Sequence, residues 1–553
     1  MLFVRTAVPP EREGTSREFA ALSRRPENKR ISAWQSELEK GLGRHCGDSG
    51  MAVTLSETVT TASSAPERVS SGVEGLDDIL GGGLTEQRLY LLEGTPGTGK
   101  TTLALQFLLD GARSGESGLY ITLSETAEEL RAVAASHGWS LDGIDLYELV
   151  NEDGLEPESE QSILHPSEIE LGETIQSIIA RVRELKPTRV VFDSLSELRL
   201  LAQSPLRYRR QILSLKHFFG LCKCTVLLLD DRTAEPSDLH LHSIAHGVIT
   251  LELKAQEFGP ERRRLQVVKM RGIKFRGGYH DFTLQTGGLN VYPRLIAAEH
   301  HREFSGEALT SGVKELDQLL GGGLVPGSSM LLIGPSGVGK TTTAVRCMLA
   351  ALQRGEHAAY FLFDEGIGTL ITRCAALGMD LTPYLESGQL SLQQVDPAEM
   401  SPGEFTSRVR RTVETDKAKF IAIDSLNAYL QAMPGEKYLL LQMHELLSYL
   451  NQLGVLTFLI LGQHGLVGDM RTEIDLSYLS DAVLLFRFFE SKGEILTAIS
   501  AVKSRTQAHE RTIREFKLSA SGLQVGSALK DFEGVMAGLA HYRGSTPMLS
   551  ATE

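Results

Sequence analysis

One glycine-rich pattern, G-x-x-x-x-G-K-[ST], occurs twice in this chain, as GTPGTGKT beginning at Gly94 and as GPSGVGKT beginning at Gly334. The second copy is displaced by 240 positions from the first, and each lies between an apolar run and a stretch with helical periodicity. In that context the pattern folds its backbone N–H groups around a phosphate. Two occurrences at a fixed offset predict two homologous domains, each with its own phosphate site.

Other segments repeat at the same offset. SGVEGLDDILGGGL at 71–84 returns as SGVKELDQLLGGGL at 311–324. Apolar runs such as RLYLLEG, GLYITLSE, RVVFD and TVLLLDD alternate with helical patterns, and the second half has equivalent runs. Strands that alternate with helices form a mainly parallel sheet with helices on both faces. The predicted fold class is α/β, with ligands at the carboxyl ends of the strands.

The length of 553 residues exceeds what one hydrophobic core usually supports. We predict an N-terminal extension at 1–66, a first domain at 67–302, a second domain at 303–540 and a tail at 541–553. The extension is dense in charges of both signs and poor in branched apolar residues, so it is expected to be disordered. Translation that starts at Met51 is an alternative explanation for its composition.

Charge and hydropathy limit the expected partners and location. The net charge of −14 and the pI near 5.6 argue against a non-specific grip on nucleic acid. No run approaches the roughly 18 consecutive apolar residues of a membrane span, and the N-terminus has no signal-like apolar segment. We therefore expect a cytoplasmic protein that binds neither membrane nor nucleic acid.

The two loops supply most of the candidate nucleotide-binding residues. Lys100 and Lys340 would place charge on the β- and γ-phosphates of ATP, and the hydroxyls of Thr101 and Thr341 would reach Mg²⁺. The predicted nucleotide-binding residues are Gly94, Thr95, Pro96, Gly97, Thr98, Gly99, Lys100, Thr101, Thr102, Asp193, Gly334, Pro335, Ser336, Gly337, Val338, Gly339, Lys340, Thr341, Thr342 and Asp424.

Acidic residues end four of the predicted strands. Asp193 and Asp424 precede Ser-Leu, a position from which a carboxylate reaches the hydration shell of the metal. Glu125 and Glu365 follow the strand after each loop helix and keep the offset of 240, so they are candidates to polarise a nucleophile. Alternatively, these two glutamates cap or charge the first turn of the following helix.

The tandem loops, the GGGL segments, the strand-end glutamates and two late motifs, VVKMRGIKFRGGYHDF and AVKSRTQAHERTIREF, resemble the KaiC family of RecA-like ATPases. The resemblance extends from about Ser70 to about Leu539. It implies two tandem RecA-like P-loop NTPase domains, each a mainly parallel twisted sheet flanked by helices, which bind ATP and Mg²⁺. It also implies a double-ring homohexamer with ATP between subunits, in which each loop serves one ring.

In KaiC-like proteins, the Lys-x-Arg of the late motifs reaches the triphosphate of the neighbouring subunit. The resemblance gives this role to Lys269 and Arg271 in the first ring and to Lys503 and Arg505 in the second. Such basic groups neutralise the charge that develops on the γ-phosphoryl group. The alternative is that these four residues form a solvated strand face.

The family's first domain mainly hydrolyses ATP, and its second domain phosphorylates a hydroxyl near the subunit interface. By resemblance, Ser477 is the best phosphoacceptor candidate and Thr472 is a further one. Tyr478 stands where the family has a threonine, and its bulk moves the hydroxyl oxygen outward. The resemblance therefore implies autophosphorylation on Ser or Thr without implying a two-site cycle.

The strand-end acids match the family in one domain and depart from it in the other. The family has two carboxylates at this position; Asp364 and Glu365 keep both, whereas Ser124 and Glu125 keep one. The resemblance makes Asp364 the general base and the metal-side acid of the second domain. Because one base is enough to orient water, first-domain hydrolysis is expected to survive.

These observations together predict an ATPase and serine/threonine autokinase that acts as an oligomeric signalling or clock-type switch. Besides further copies of the chain, the partners that the resemblance implies are KaiB-like or KaiA-like regulators, a histidine kinase or a response regulator. A RecA/RadA-like DNA-dependent ATPase shares the same core but needs a basic channel, which the acidic composition disfavours. An ATP-bound scaffold with little turnover is the other alternative.

Overall fold

The computed structural model describes residues 67–149, 166–202, 204–231, 239–256, 259–431, 438–463, 477–491, 493–519, 522–537 and 540–542. The predicted N-terminal extension, the phosphoacceptor candidate Thr472 and all but two residues of the predicted tail lie outside the described residues.

The first half of the chain forms a two-stranded antiparallel sheet and a nine-stranded sheet. The strands are β1 (Arg68–Val69), β2 (Leu84–Thr85), β3 (Leu89–Gly94), β4 (Gly118–Thr122), β5 (Ile144–Glu148), β6 (Arg189–Asp193), β7 (Thr225–Asp231), β8 (Gly247–Lys254), β9 (Arg262–Met270), β10 (Tyr279–Gln285) and β11 (Gly288–Tyr292). The helices are α1 (Glu74–Leu80), α2 (Lys100–Arg113), α3 (Ala127–Ser136), α4 (Pro166–Leu185), α5 (Leu195–Ala202), α6 (Pro205–Leu221), α7 (Leu239–Ile244) and a 3₁₀ turn at Ala297–Glu299.

The second half repeats this plan with another nine-stranded sheet. The strands are β12 (Ser329–Gly334), β13 (His357–Leu362), β14 (Leu390–Gln394), β15 (Ala418–Asp424), β16 (Leu456–Gly462), β17 (Ala482–Ser491), β18 (Glu494–Ser504), β19 (Arg514–Ser519) and β20 (Gly522–Ala528), followed by a hairpin of β21 (Phe532–Glu533) and β22 (His541–Tyr542). The helices are α8 (Lys314–Leu319), α9 (Lys340–Gln353), α10 (Ile367–Ala376), α11 (Thr382–Glu386), α12 (Pro402–Glu414), α13 (Leu426–Gln431), α14 (Leu439–Gln452) and 3₁₀ turns at Ser477–Leu479 and Val535–Ala537.

The two sheets have the same topology. The first has the order β11-β10-β9-β8-β3-β7-β6-β4-β5. The second has the same order, written from the opposite edge, as β14-β13-β15-β16-β12-β17-β18-β19-β20. Pairing is parallel from β5 through β8 and from β14 through β17, and it is antiparallel beyond β8 and β17. This architecture confirms the predicted fold class of two tandem, mainly parallel RecA-like domains.

The strand that precedes each loop is buried on both faces. In β3, Tyr90 and Leu92 belong to one apolar cluster, while Leu89 and Leu91 belong to the cluster on the opposite face. Side chains alternate across a strand, so an uninterrupted apolar run fits only where helices cover both faces of the sheet. The chain leaves this buried strand at Gly94, the carboxyl end of β3, where the loop begins.

Both late motifs lie on the antiparallel part of the sheets. Lys269 is on β9 and Arg271 follows it, while Lys503 is on β18 and Arg505 follows it. In each domain this strand pairs with the last parallel strand, β8 or β17. The hairpin arrangement carries both Lys-x-Arg motifs to the equivalent place in their domains.

Candidate nucleotide-binding sites

The first loop wraps its own lysine. Gly94 ends β3, and α2 begins at Lys100 after Gly97 and Gly99, whose φ angles are +80° and +101°. The Lys100 ammonium donates to the carbonyl oxygens of Gly94 at 2.7 Å and Thr95 at 3.2 Å. These positive φ angles suit glycine, and they let the loop turn onto the amino end of a fourteen-residue helix.

The second loop has the same geometry. The Lys340 ammonium donates to the carbonyl oxygens of Gly334 at 2.8 Å and Pro335 at 2.6 Å, and Gly339 has a φ of +100°. Burial lowers the pKa of Lys340 to about 8, although the negative charge of Asp424 opposes that shift. Two loops far apart in the chain thus present a lysine and a helix amino end in one arrangement.

Close packing adds to the requirement for glycine at the last loop position. A Cβ atom at Gly339 would lie 2.8 Å from side-chain atoms of both Leu518 and Phe516. Both residues belong to β19, in the antiparallel part of the sheet. Strand β19 therefore packs directly against the last glycine of the second loop.

The strand-end aspartates lie beside the loops. Asp424 accepts hydrogen bonds from the hydroxyls of Thr341 at 2.7 Å and Tyr360 at 2.8 Å, so the two residues predicted to approach the metal touch each other. Asp193 accepts a hydrogen bond from Tyr120 at 2.6 Å. Burial raises the pKa of both aspartates, and the hydrogen bonds that they accept lower it.

Glu125 and Glu365 differ in their surroundings. Oε2 of Glu125 is buried and has no hydrogen-bond partner among the described residues. Burial raises the pKa of Glu125, with further increases from Asp193 and other nearby acids. Glu365 instead forms an ion pair with Arg373 at 2.6 Å.

Neither glutamate caps a helix. Thr126 is the N-cap of α3, and its side chain accepts a hydrogen bond from the backbone N–H of Glu129. Gly366 is the N-cap of α10. Both glutamates precede the N-cap, so they also lie outside the first turn. The alternative interpretation of Glu125 and Glu365 as N-cap residues or first-turn acids is therefore wrong.

A cavity of about 640 Å³ opens over the second loop. Lys340, Thr341, Asp364, Glu365 and Asp424 all line it, so the structure brings these predicted residues together. Asp364 accepts a hydrogen bond from the Ser425 hydroxyl at 2.5 Å, which fixes its carboxylate beside the end of β15. Arg373 also lines this cavity, and sequence analysis did not identify it.

The first site contains an acid that sequence analysis also missed. The Lys100 ammonium forms an ion pair with Asp231 at 2.7 Å. Asp231 ends β7 directly beside Gly94 of β3, whereas the corresponding register pair in the second domain is Gly334 and Gly462. Comparing TVLLLDD with the equivalent LTFLILG would have revealed this difference.

Within one chain, the Lys-x-Arg side chains bind backbone carbonyls. Lys503 donates to Ser477 at 2.5 Å and to Ser480 at 2.7 Å, and Arg505 donates to Tyr478 at 3.2 Å. The half-buried lysine is therefore not part of a merely solvated strand face.

The first domain shows the same arrangement. Lys269 donates to the carbonyls of His242 and Ala245, and Arg271 donates to Ser243 at 2.7 Å. Both motifs thus bind the segment that precedes the last parallel strand. Their contact with a neighbouring subunit's nucleotide stays a prediction.

The candidate phosphoacceptor Ser477 begins the 3₁₀ turn that Lys503 binds. Ser477 is half-buried, and the following Tyr478 is 50% exposed. Thr472 lies outside the described residues. The structure thus places the predicted phosphoacceptor Ser477 next to Lys503, which the resemblance directs to the triphosphate of the neighbouring subunit.

Two glycine-rich loops at the carboxyl ends of mainly parallel sheets, each with a lysine, a hydroxyl and a strand-end aspartate, define a tandem P-loop nucleotide-binding protein. The family model described as "ATPase: KaiC" matches residues 69–296 and 309–530. The chain belongs to this family.

Curated relatives support the assignment. The chain is 27% identical over 483 residues to "Circadian clock oscillator protein KaiC" of Thermostichus vulcanus, which covers 86% of this chain and 92% of the relative. It is 27% identical over 497 residues to "Circadian clock protein KaiC3" of Synechocystis sp., which covers 88% of this chain and 95% of the relative. Among the described residues, none of the helices has the length and apolarity of a membrane span.

Proposed function

We propose that this chain hydrolyses ATP at its first site and transfers phosphate to its own Ser or Thr hydroxyls at its second site. The observation that carries this proposal is the unequal pair of residues after the second strand of each domain: a serine, Ser124, precedes Glu125, whereas Asp364 and Glu365 are both acids and both line the second cavity. On this proposal, the family domains act as an oligomeric, cytoplasmic signalling or clock-type switch.

The residues fit ATP with Mg²⁺. The hydroxyl of Thr341 and the carboxylate of Asp424 are 2.7 Å apart, and oxygen donors of this kind are the ligands that Mg²⁺ prefers. On this proposal Thr341, Asp424 and Asp364 hold the ion in the second site, and Thr101 and Asp193 hold it in the first. Bound Mg²⁺ would neutralise charge on the phosphates.

The lysines and strand-end acids have distinct tasks in this proposal. Lys100 and Lys340 exchange their carbonyl contacts for the β- and γ-phosphates. Glu125 accepts the proton of the attacking water in the first site, and Asp364 accepts the proton of the attacking hydroxyl in the second. Glu365 lies beside Asp364, and its ion pair with Arg373 determines whether it can contact the attacking group.

The Lys-x-Arg motifs make the proposed catalysis depend on assembly. In a ring, Lys269 and Arg271 of one subunit would face the triphosphate of the next, as would Lys503 and Arg505 in the second ring. We propose a double-ring homohexamer, with regulators that resemble KaiA or KaiB, or a histidine kinase or response regulator, as further partners. Mass measurement in solution with and without Mg²⁺ and ATP tests the assembly.

The direct test of the proposed autokinase uses purified full chain, Mg²⁺ and γ-labelled ATP, followed by mapping of the labelled peptides by mass spectrometry. The expected result is label on Ser477 or Thr472 that disappears in Lys340→Ala. Phosphate release without any label on the protein would leave an ATPase and remove the kinase part of the proposal.

A further inference from the structure

The second site contains a basic side chain, Arg373, at a position where the first site has valine. Arg373 lies on α10, two helical turns after Glu365, and its guanidinium is 2.6 Å from Oε2 of that residue. Its other terminal nitrogen lies 3.4 Å from the Thr342 hydroxyl, on the first turn of α9. The arginine therefore connects the strand-end acid to the helix that follows the phosphate loop.

The first site places an apolar residue at the same position. Val133 lies at the same distance along the chain from Glu125 as Arg373 lies from Glu365, and α3 and α10 match residue for residue. Val133 packs against the apolar core of its domain. Oε2 of Glu125, whose partner in the second domain would be Arg373, has no hydrogen-bond partner among the described residues.

The ion pair changes what the glutamate can do. In hydrolysis, the water oxygen bonds to the γ-phosphorus while the bond to the ADP oxygen breaks, and the water proton passes to a carboxylate. A carboxylate must be within hydrogen-bonding reach of that water to accept the proton. A short guanidinium contact holds one oxygen of Glu365, whereas Oε2 of Glu125 has no such contact among the residues that the structure describes.

We propose that Arg373 is a positioning residue that restrains ATP hydrolysis at the second site by engaging Glu365. The γ-phosphoryl group is thereby kept for the Ser477 hydroxyl, whose oxygen takes the place of water and whose proton passes to Asp364. This inference rests on the proposed function and adds a determinant of the choice between water and protein hydroxyl.

Reciprocal exchange tests the inference in the full chain. Arg373→Val is made in a Glu125→Gln parent, so that phosphate release reports the second site. Val133→Arg is made in a Lys340→Ala parent, so that release reports the first site. Arg373→Lys keeps a positive charge, and Val133→Met adds bulk without charge.

Arg373→Val is expected to raise kcat for phosphate release about tenfold, a modest part of what a positioned base supplies, with KM changed by less than about twofold. Val133→Arg is expected to lower first-site kcat by about tenfold, and the Lys and Met controls are expected to stay near their parents. An unchanged or lower kcat in Arg373→Val, or a raised KM, would overturn the inference, because an arginine that binds the triphosphate gives that pattern.

The two proposals fail in different ways. If the unmodified chain and both parents release no phosphate, the proposed ATPase function fails. If the unmodified chain hydrolyses ATP and the exchanges leave both kcat values unchanged, only the role of Arg373 fails. Should Arg373→Val not fold, Val133→Arg in the other domain still decides the question.

Discussion

The two candidate nucleotide sites have loops of the same geometry, but a different charged side chain forms an ion pair in each. In the first site Lys100 forms an ion pair with Asp231 at 2.7 Å, while Oε2 of Glu125 has no partner among the described residues. In the second site the ion pair joins Glu365 to Arg373 at 2.6 Å, and Lys340 donates to loop carbonyls. The ion pair therefore involves the loop lysine in the first site and the strand-end glutamate in the second.

This difference shows that a phosphate-loop motif determines where phosphate binds but not the balance of charge around it. The residues responsible, Asp231 and Arg373, lie on a neighbouring strand and on a following helix. Two copies of one domain can therefore keep the same loop geometry and still differ in the charged residues around it. The predictions below test this distinction, from the largest expected effect to the smallest.

The largest effect is expected for Glu125→Gln in a Lys340→Ala parent. Loss of the carboxylate that we propose as the base of the first site should reduce phosphate release by about a hundredfold or more. Because the pKa of Glu125 is raised by burial, release should fall on acidification at a higher pH than for an exposed glutamate, as the base becomes protonated. A steady-state assay across pH measures both effects.

Glu128→Gln is the matched control, since Glu128 is exposed on the next helix. It should leave the rate and its pH profile unchanged. Equal rates in Glu125→Gln and the parent would assign the base to another residue and remove the contrast between the sites.

The two domains also differ in how they fill one core position. Arg189 of β6 is buried and binds Glu116 at 2.6 Å and the Phe107 carbonyl at 2.6 Å, whereas the corresponding residue in β15 is the buried Phe420. Arg189→Met should lower the free energy of unfolding by about 2 kcal/mol, less than for a fully buried pair because the carboxylate is partly exposed.

Chemical denaturation of the full chain measures this loss. Arg181→Met is the control, because Arg181 pairs with Asp145 near the surface and its replacement should cost less than about 1 kcal/mol. Equal losses in both variants would mean that the buried arginine contributes no more than a surface ion pair.

A smaller effect is expected for Asp231→Asn. Once the Asp231 carboxylate is removed, Lys100 does not have to break an ion pair in order to bind phosphate. ATP should therefore bind the first site about threefold more tightly, which corresponds to the free energy of a partly exposed ion pair. Gly462→Asp should weaken ATP binding at the second site to a similar degree. A Cβ atom at Gly462 would lie 3.5 Å from Oδ1 of Asn427, which is an ordinary van der Waals contact.

Equilibrium titration with a fluorescent ATP analogue measures both affinities, with the other loop lysine replaced by alanine in each case. Weaker binding in Asp231→Asn would show that Asp231 positions Lys100 for the nucleotide, and the comparison of the two sites would have to be revised.

Sequence patterns predicted the fold class and placed the loops, because the glycine spacing and uninterrupted apolar strands are local properties. They also placed Asp424 near Thr341, since the carboxyl ends of parallel strands lie at the same edge of a sheet, although β16 separates β15 from β12. The pair of Asp231 with Lys100 was missed because it depends on the register between β3 and β7.

Arg373 was missed for a different reason. Its distance of two helical turns from Glu365 suggests no contact unless the strand end and helix are known to lie together. Aligning the two domains and asking which helix position changes from valine to arginine would have revealed it. The trans role of Lys503 and Arg505 depends on a second chain, so it stays a prediction.

The central claim is that the first site hydrolyses ATP and the second site phosphorylates the chain. The most direct measurement follows free phosphate and protein-bound label together in Glu125→Gln and Lys340→Ala, starting from γ-labelled ATP. The account predicts that Glu125→Gln loses most phosphate release but keeps label on Ser477 or Thr472, and that Lys340→Ala does the reverse. Loss of both signals in the same variant, with neither lost in the other, would contradict it.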